Sequence, residues 1–249
     1  MKAILFLLPP AALSLSACGY SVFDAADDIK QGSSKFKGGK PITEAAATTA
    51  AFTKLEAFGP DNIVFTTGSA FQISARGDTE ALKDLRYKVE DGVIMIGREN
   101  EKWWGRNGKG ATVTVTAPTL SDASLAGSGN FSADKMSGDK VVVEIAGSGD
   151  VSVTEVVAKS LESDVAGTGD VVLAGKVDRA EYSVAGTGSV DAVKLISTNV
   201  EVSIAGTGDV DISATGNVDA SIAGSGNVTV TGGAKCISST VGSGSVNCG

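Results

Sequence analysis

Hydrophobic and polar residues alternate through much of the second half of the chain. Between residues 141 and 153, apolar side chains occupy every second position on both sides of a short glycine-rich phrase, and the same alternation returns over residues 200–212. A period of two residues is typical of β-strands that bury one face. The pattern therefore predicts strands with an aliphatic inner face and a polar outer face that carries residues such as Glu144, Asp164 and Glu201.

The glycine phrase reads Ala or Val, Gly, Ser or Thr, Gly, and then Asp, Asn or Ser, and it occurs seven times. Its first glycines are 20, 20, 19, 20, 18 and 18 residues apart. Paired glycines permit a tight corner with positive φ, and a near-constant period of this size is typical of stacked repeats. We assign a structural turn role to Gly127, Gly129, Gly147, Gly149, Gly167, Gly169, Gly186, Gly188, Gly206, Gly208, Gly224, Gly226, Gly242 and Gly244.

These repeats predict an all-β fold, a parallel β-solenoid (β-helix) of about 18–20-residue coils. A single coil cannot bury its own apolar face, whereas stacked coils share a continuous core. Seven rungs would span roughly 30 Å at ~4.8 Å per rung. The alternative treats each phrase as a hairpin turn and gives an antiparallel β-meander or barrel. In either fold, Ser163 and Tyr182 fall on the inward register and bring hydroxyls into an aliphatic core.

Residues 52–120 are rich in β-forming residues but lack the glycine phrase. We predict that they form atypical opening coils of the same domain, with one short helix from Glu80 to Arg86 that Asp78 or Thr79 caps. The helix is expected to shield an end of the solenoid, because an open sheet edge invites pairing between chains. The predicted strands are 62–65, 71–74, 93–96 and 113–116.

The N-terminus resembles the leader of a bacterial lipoprotein. A short basic start precedes the apolar run from Ala3 to Leu15, which is too short to span a membrane, and Leu15-Ser16-Ala17-Cys18 then resembles a lipobox. We predict a signal peptide over residues 1–17, lipidation at Cys18 and an outer-membrane lipoprotein that faces the periplasm or the surface. Residues 18–51 are predicted to be a flexible tether, and residues 52–249 the solenoid domain, with the glycine-phrase repeats over 121–249.

Two cysteines remain after lipidation, Cys236 and Cys248, and they flank the last copy of the phrase. In an exported chain this pair predicts a disulfide that fixes the final coil, on which no further rung stacks.

The amino-acid composition argues against several kinds of catalytic and binding site. The 249 residues include no histidine, and the formal net charge is −8. Absence of histidine removes the commonest general base and metal ligand, and an acidic chain without a basic stripe argues against a nucleic-acid partner. We predict no catalytic residues, no metal and no cofactor. Calcium binding by the Gly-x-Gly-Asp turns is a weaker hypothesis, since one Asp per coil provides few oxygen ligands.

Both tryptophans lie together at Trp103-Trp104, beside basic residues on a glycine-containing loop. Such a pair can bind a sugar or a protein partner. The simpler interpretation is a loop that folds over the end of the solenoid.

The chain from about Phe52 to Val230 resembles the putative auto-transporter adhesin head GIN domain family. The resemblance rests on the stretches "NIVF", "FQISA", "LKDL", "VEDGVIMIG" and "VTVTAPTLSDASLAGSGNF" and on the later glycine phrases. It implies an exported β-helical protein, often a lipoprotein, with no established catalytic residues.

Together these features predict a non-enzymatic cell-envelope lipoprotein, a rigid β-solenoid that presents a surface for adhesion or scaffolding. Its expected contacts are the membrane, through the lipid anchor, and an envelope polysaccharide or protein. The alternative is a polysaccharide-binding or polysaccharide-cleaving β-helix protein, because parallel β-helices also support such enzymes.

Overall fold

A computed structural model describes residues 36–99 and 110–249. The predicted signal peptide, Cys18, the first half of the predicted tether and the Trp103-Trp104 pair lie outside the described residues.

The fold is an all-β parallel solenoid of about six turns with a short helix, as the repeat pattern predicts. The helix α1 spans Thr79–Asp84. The strands are β1 (Lys40–Pro41), β2 (Ala47–Thr48), β3 (Lys54–Gly59), β4 (Asn62–Thr67), β5 (Gln72–Gly77), β6 (Leu85–Glu90), β7 (Val93–Arg98), β8 (Ala111–Ala117), β9 (Asp122–Gly127), β10 (Phe131–Ala133), β11 (Met136–Gly147), β12 (Val151–Gly167), β13 (Val171–Lys176), β14 (Arg179–Gly186), β15 (Val190–Ser197), β16 (Asn199–Gly206), β17 (Val210–Ala214), β18 (Asn217–Gly224), β19 (Asn227–Thr231), β20 (Lys235–Gly242) and β21 (Ser245–Cys248).

The strands form two stacks that share one core. From the β9–β10 coil to the C-terminus, the first stack contains β9, β11, the second half of β12, β14, β16, β18 and β20, all parallel. The second stack contains β10, the start of β12, β13, β15, β17, β19 and β21, also parallel. Each coil runs along a first-stack strand, turns at the glycine phrase and continues into the second stack. The antiparallel meander is therefore wrong for the repeats.

The opening rungs do not follow the order of the sequence. Strands β3 and β4 lie directly on β9 and β10, and β7 and β8 lie on β3 and β4, all in parallel. Beyond them, β6 and β5 pair antiparallel with β7 and β8, and the two-residue strands β1 and β2 pair antiparallel with β6 and β5. Residues 52–120 are thus only partly coils of the solenoid. Short antiparallel strands leave less unpaired backbone at this end than a full parallel rung would.

Helix α1 links β5 of the second stack to β6 of the first stack at this N-terminal end. Asp78 caps it by accepting hydrogen bonds from the amides of Glu80 and Ala81. The sequence predicted that the helix ends at Arg86, but it ends at Asp84. Leu85 is buried and Arg86 pairs with Gly97 of β7, so both residues belong to strand β6.

The ordered domain begins before residue 52. Phe36 and Ile42 are 1% and 2% exposed, and the Phe36 ring meets Phe58 edge-on with centroids 5.7 Å apart. The tether prediction is therefore wrong for residues 36–51. These apolar residues are too sparse to form a pattern in the sequence, yet they cover the end of the core.

The interior is aliphatic, with few exceptions. Ser163 and Tyr182 are buried, as their register predicts, and Ser197 joins them. Within the described chain none of the three hydroxyls makes a hydrogen bond, although Tyr182 approaches Ser197 without meeting hydrogen-bond geometry. Burial raises the pKa of the Tyr182 hydroxyl. Polar groups without a hydrogen-bond partner are costly to bury in such a place.

In the described ranges, the one helix is far shorter than a bilayer crossing requires.

Candidate functional site

The glycine phrase forms a corner at which successive rungs almost touch. Gly127, Gly147 and Gly167 occupy one register position and have φ of 146°, 142° and 136°. A Cβ on Gly147 would meet the carbonyl oxygen of Gly127, and a Cβ on Gly149 would meet that of Gly129. The paired glycines therefore have the structural role that the sequence predicts.

One further turn lies in line with these corners, although the sequence pattern did not predict it. Gly59 pairs with Gly127, so the segment Phe58-Gly59-Pro60-Asp61-Asn62 makes the same corner one rung earlier. Its signal in the sequence is a single glycine followed by Asp and Asn. The second glycine and the hydroxyl residue are absent, which is why the period does not reveal it.

The residues that follow the phrase form a hydrogen-bonded ladder. The Asn62 side chain accepts from the amide of Asn130, Asn130 accepts from the amide of Asp150, and Asp150 accepts from the amide of Asp170, at 2.9–3.0 Å. The ladder continues from Asp170 to the amide of Ser189 and, in the later rungs, from Asp209 to the amide of Asn227. Each side chain thus satisfies a backbone donor of the next rung. This role is structural, because the Oδ1 atom of each of these Asp and Asn side chains already accepts a hydrogen bond from the next rung.

The outer side of the first stack carries a set of carboxylates that we call the acidic face. It has one column of register-paired residues from β12 to β18 and a second, shorter column beside it. Neighbouring members of a column are ~4.8 Å apart in the strand-pairing direction. The acidic face comprises Glu162, Glu181, Glu201 and Asp219 in the long column and Glu144 and Asp164 in the short one.

Proximity and partial burial alter the titration of this face. Desolvation, with a smaller contribution from Glu162, Glu144 and Glu181, raises the pKa of Asp164 from 3.8 to about 6. Desolvation also raises the pKa of Glu144 and of Glu181. The centre of the acidic face therefore keeps protons to higher pH than ordinary carboxylates do.

Three ion pairs join neighbouring rungs, and one of them, at Glu162, lies on the acidic face and offsets part of this repulsion. Lys140 contacts Glu162, Lys159 lies 2.8 Å from Asp139, and Lys135 lies 3.1 Å from Glu155. These pairs are largely exposed, so each contributes little to stability. They leave Glu181, Glu201 and Asp219 without a salt bridge to any described residue.

A buried ion pair lies near the opening rungs. Arg98 donates through Nε and Nη2 to the two carboxylate oxygens of Asp61 at 2.6 and 2.5 Å, and the Ala111 amide donates to Asp61 at 2.7 Å. Arg98 and Asp61 are 8% and 4% exposed. The sequence reasoning missed this pair, because the two residues are 37 positions apart and no pattern links them.

The predicted disulfide between Cys236 and Cys248 is present in the last rung, with the two Cα atoms 6.3 Å apart. Cys236 takes the register position below Val218, and Cys248 takes the position below Val230. The disulfide therefore replaces a pair of core valines and joins the two stacks where the core ends.

Among the described residues, the acidic side chains are arranged in rows along the sheet and not in a cluster that could hold a metal ion. No three His, Cys, Asp or Glu side chains in residues 36–99 and 110–249 converge to hold an ion. The carboxylates of the acidic face repeat along one sheet and do not face one another across a groove, as the pair of a glycosidase does. Lipidation at Cys18 and ligand binding by Trp103 and Trp104 remain predictions outside the described residues.

Comparison with known proteins supports the same reading of the fold. The family model described as putative auto-transporter adhesin, head GIN domain, matches residues 51–234. A putative adhesin from Bacteroides fragilis is 25% identical, with a TM-score of 0.72 over 82% of this chain and 94% of that chain. No curated protein matches the chain significantly.

Two other solved structures share the fold. A putative lipid binding protein from Parabacteroides distasonis is 24% identical, with a TM-score of 0.65 over 85% of this chain and 98% of that chain. A putative adhesin from Parabacteroides merdae is 23% identical, with a TM-score of 0.62 over 82% and 94%. The family match covers well over half of the chain and includes six of the seven glycine phrases and most of the opening rungs. The chain therefore belongs to the putative auto-transporter adhesin head GIN domain family.

Proposed function

We propose that this protein is a non-enzymatic lipoprotein of the bacterial cell envelope, which presents the outer faces of a rigid solenoid for adhesion or scaffolding. The observation that carries the proposal is the repetition of the same outward side chains on successive rungs, at a fixed spacing. Such a surface offers many equivalent weak contacts, which suit an extended or multivalent partner.

The acidic face is the surface we assign to this role. Glu181, Glu201 and Asp219 are exposed on adjacent strands of a disulfide-bonded stack, so their spacing is held by backbone pairing. A partner with regularly spaced basic groups, such as a cationic region of an envelope protein, would find a matched array. An amino-sugar polysaccharide would satisfy the same pattern.

Gene deletion and complementation test the proposal. The deletion strain should lose surface attachment or envelope integrity, and the wild-type gene should restore it. A gene that encodes Glu181→Gln, Glu201→Gln and Asp219→Asn together should restore it much less well. The matched control carries Asp191→Asn, Asp211→Asn and Asp178→Asn, which remove the same charge away from this face.

Unaltered attachment and envelope integrity in the deletion strain would refute the proposal. Equal complementation by both triple variants would refute the assignment to the acidic face alone. Anchoring is tested separately by metabolic labelling with radioactive palmitate, which should label the wild-type chain and not the Cys18→Ser variant.

A further inference from the structure

Charge is distributed unevenly along the solenoid. Residues 110–249 contain seven basic and sixteen acidic residues, whereas residues 36–99 contain eight basic and nine acidic residues. The repeats are therefore strongly acidic, and the N-terminal end is close to neutral. Net charge alone argues against electrostatic attachment to anionic lipid, but the two ends of the molecule differ.

Three lysines gather at the N-terminal end of the stack. Lys37, Lys40 and Lys88 line a cavity of about 340 Å³, which is also lined by the backbone of Gly38-Gly39 and by Glu90. The register pairs Lys40 with Tyr87, so strand β1 brings Lys37 and Lys40 beside Lys88 on β6. None of the three lysines forms an ion pair with a described residue.

The first described residues lie at this cavity. Phe36 is buried against Phe58, and Lys37 follows it directly. Eighteen residues, 18 to 35, separate the predicted anchor from Phe36, so the reach of a peptide chain limits their distance to at most roughly 60 Å. An anchor at Cys18 would thus be tied to the end of the solenoid that carries the lysine cavity and not to the acidic repeats.

We propose that the cavity formed by Lys37, Lys40 and Lys88 docks the solenoid on the anionic lipid surface that carries its anchor, so that the rod stands on its N-terminal end. Lysine ammonium groups attract phosphate headgroups, and each basic residue near an anionic surface strengthens binding about fivefold. The same surface potential repels the acidic repeats. This inference rests on the lipid anchor of the proposed function and adds an orientation and a headgroup contact to it.

Lysine footprinting on vesicles tests the proposal. The mature chain from Cys18 onward, with the Cys236–Cys248 disulfide intact, is coupled through the Cys18 thiol to a maleimide lipid. The vesicles contain phosphatidylcholine alone or with about one-third phosphatidylglycerol. Acetylation rates are read for each lysine by mass spectrometry. On anionic vesicles, Lys37, Lys40 and Lys88 should react at least threefold more slowly than on neutral ones, and the exposed Lys176, Lys194 and Lys235 of the repeats should not change.

Two triple variants provide the matched control. Without coupling, Lys37→Gln, Lys40→Gln and Lys88→Gln together should weaken flotation with anionic vesicles at least tenfold at low salt. Lys176→Gln, Lys194→Gln and Lys235→Gln remove the same charge and should weaken it less than twofold. Because the anchor is supplied chemically or omitted, failure of natural lipidation in the palmitate experiment does not affect these results.

Four outcomes would overturn the proposal. The first is equal protection of all six lysines, which would mean a rod that lies flat. The second is equal protection on neutral and anionic vesicles. The third is equal loss of flotation in both triple variants, which would reflect net charge. Protection of the cavity lysines by inorganic phosphate without vesicles would assign the cavity to a soluble anion and would also overturn the membrane contact.

Discussion

The first glycine of each phrase combines a positive φ with close approach to the neighbouring rung. Gly59 and Gly147 separate the two constraints, because they occupy equivalent corners and both have positive φ, at 104° and 142°. A Cβ on Gly59 would have no atom within 4 Å, whereas a Cβ on Gly147 would meet the Gly127 carbonyl. Comparison of the two sites therefore separates the energetic cost of a Cβ that contacts the neighbouring rung from the cost of a positive φ.

We expect Gly59→Ala to lower the free energy of unfolding by about 1–2 kcal/mol, the strain of an L-residue at positive φ. Gly147→Ala should lower it by about 3–5 kcal/mol, since overpacking adds to that strain. Urea unfolding monitored by circular dichroism measures both values. Equal losses at the two sites would mean that stacking distance does not limit the corner.

Protonation of Asp164 should change the free energy of unfolding of the protein. Its folded-state pKa is about 6, above the ordinary 3.8, so the folded state binds the proton more tightly than the unfolded state does. The free energy of unfolding should fall as the pH rises through this interval and stay low above it. Asp164→Asn should flatten this dependence and raise stability at pH 7 by about 1 kcal/mol, a value reduced for partial exposure.

Thermal unfolding between pH 4 and pH 7 measures the effect. Asp219→Asn, an exposed change on the same face, is the control and should leave the pH dependence as it is. If Asp164→Asn leaves the pH dependence of stability unchanged, groups other than Asp164 determine that dependence between pH 4 and pH 7.

Strand β7 ends at Arg98, which holds the opening rungs together through Asp61 in the turn between β3 and β4. Removal of one member of a buried pair leaves an uncompensated charge. Asp61→Ala should therefore destabilise the protein by about 3–5 kcal/mol, and Asp61→Ala with Arg98→Ala should cost less than the sum of the single changes. Double-mutant analysis of chemical unfolding measures the coupling, and simple additivity would contradict it.

Strands β20 and β21 form the last rung, and the disulfide joins them covalently. It closes a loop with a sequence separation of 12, for which the chain-entropy model predicts about 3 kcal/mol. Cys236→Ser with Cys248→Ser should therefore accelerate amide hydrogen exchange in β20 and β21 and leave β9 and β11 almost unchanged. Uniformly faster exchange across all rungs would indicate a global role for the disulfide.

The element boundaries show how far pattern reasoning extends. The strands predicted at 62–65, 93–96 and 113–116 fall within β4, β7 and β8, because alternation and β-branched residues are local signals. The direction of a strand and the identity of its pairing partner are not set by the local sequence. The sequence does not reveal that β5 and β6 run antiparallel while β7 and β8 run parallel to β3 and β4.

At the scale of the whole molecule, the repeats make a rod in which every rung supports the next. The first stack contains eleven strands when β1, β6, β7 and β3 are included, which gives roughly 50 Å at ~4.8 Å per strand. This exceeds the 30 Å expected from the seven phrases, because the opening rungs continue the same stack. A rod of this length has two chemically different ends, one tied by a disulfide and one lined by lysines.

The sequence by itself determined the parts of this protein that repeat or alternate. The coil length, the corner glycines, the buried and exposed positions of the repeats, and the terminal disulfide all follow from short-range spacing and steric limits on the backbone. Only the tertiary structure decided which strand lies on which in residues 36–120, that Asp61 meets Arg98, and that Lys37 and Lys40 lie beside Lys88. Those contacts join residues tens of positions apart, and their energies depend on burial and distance that exist only once the chain is folded.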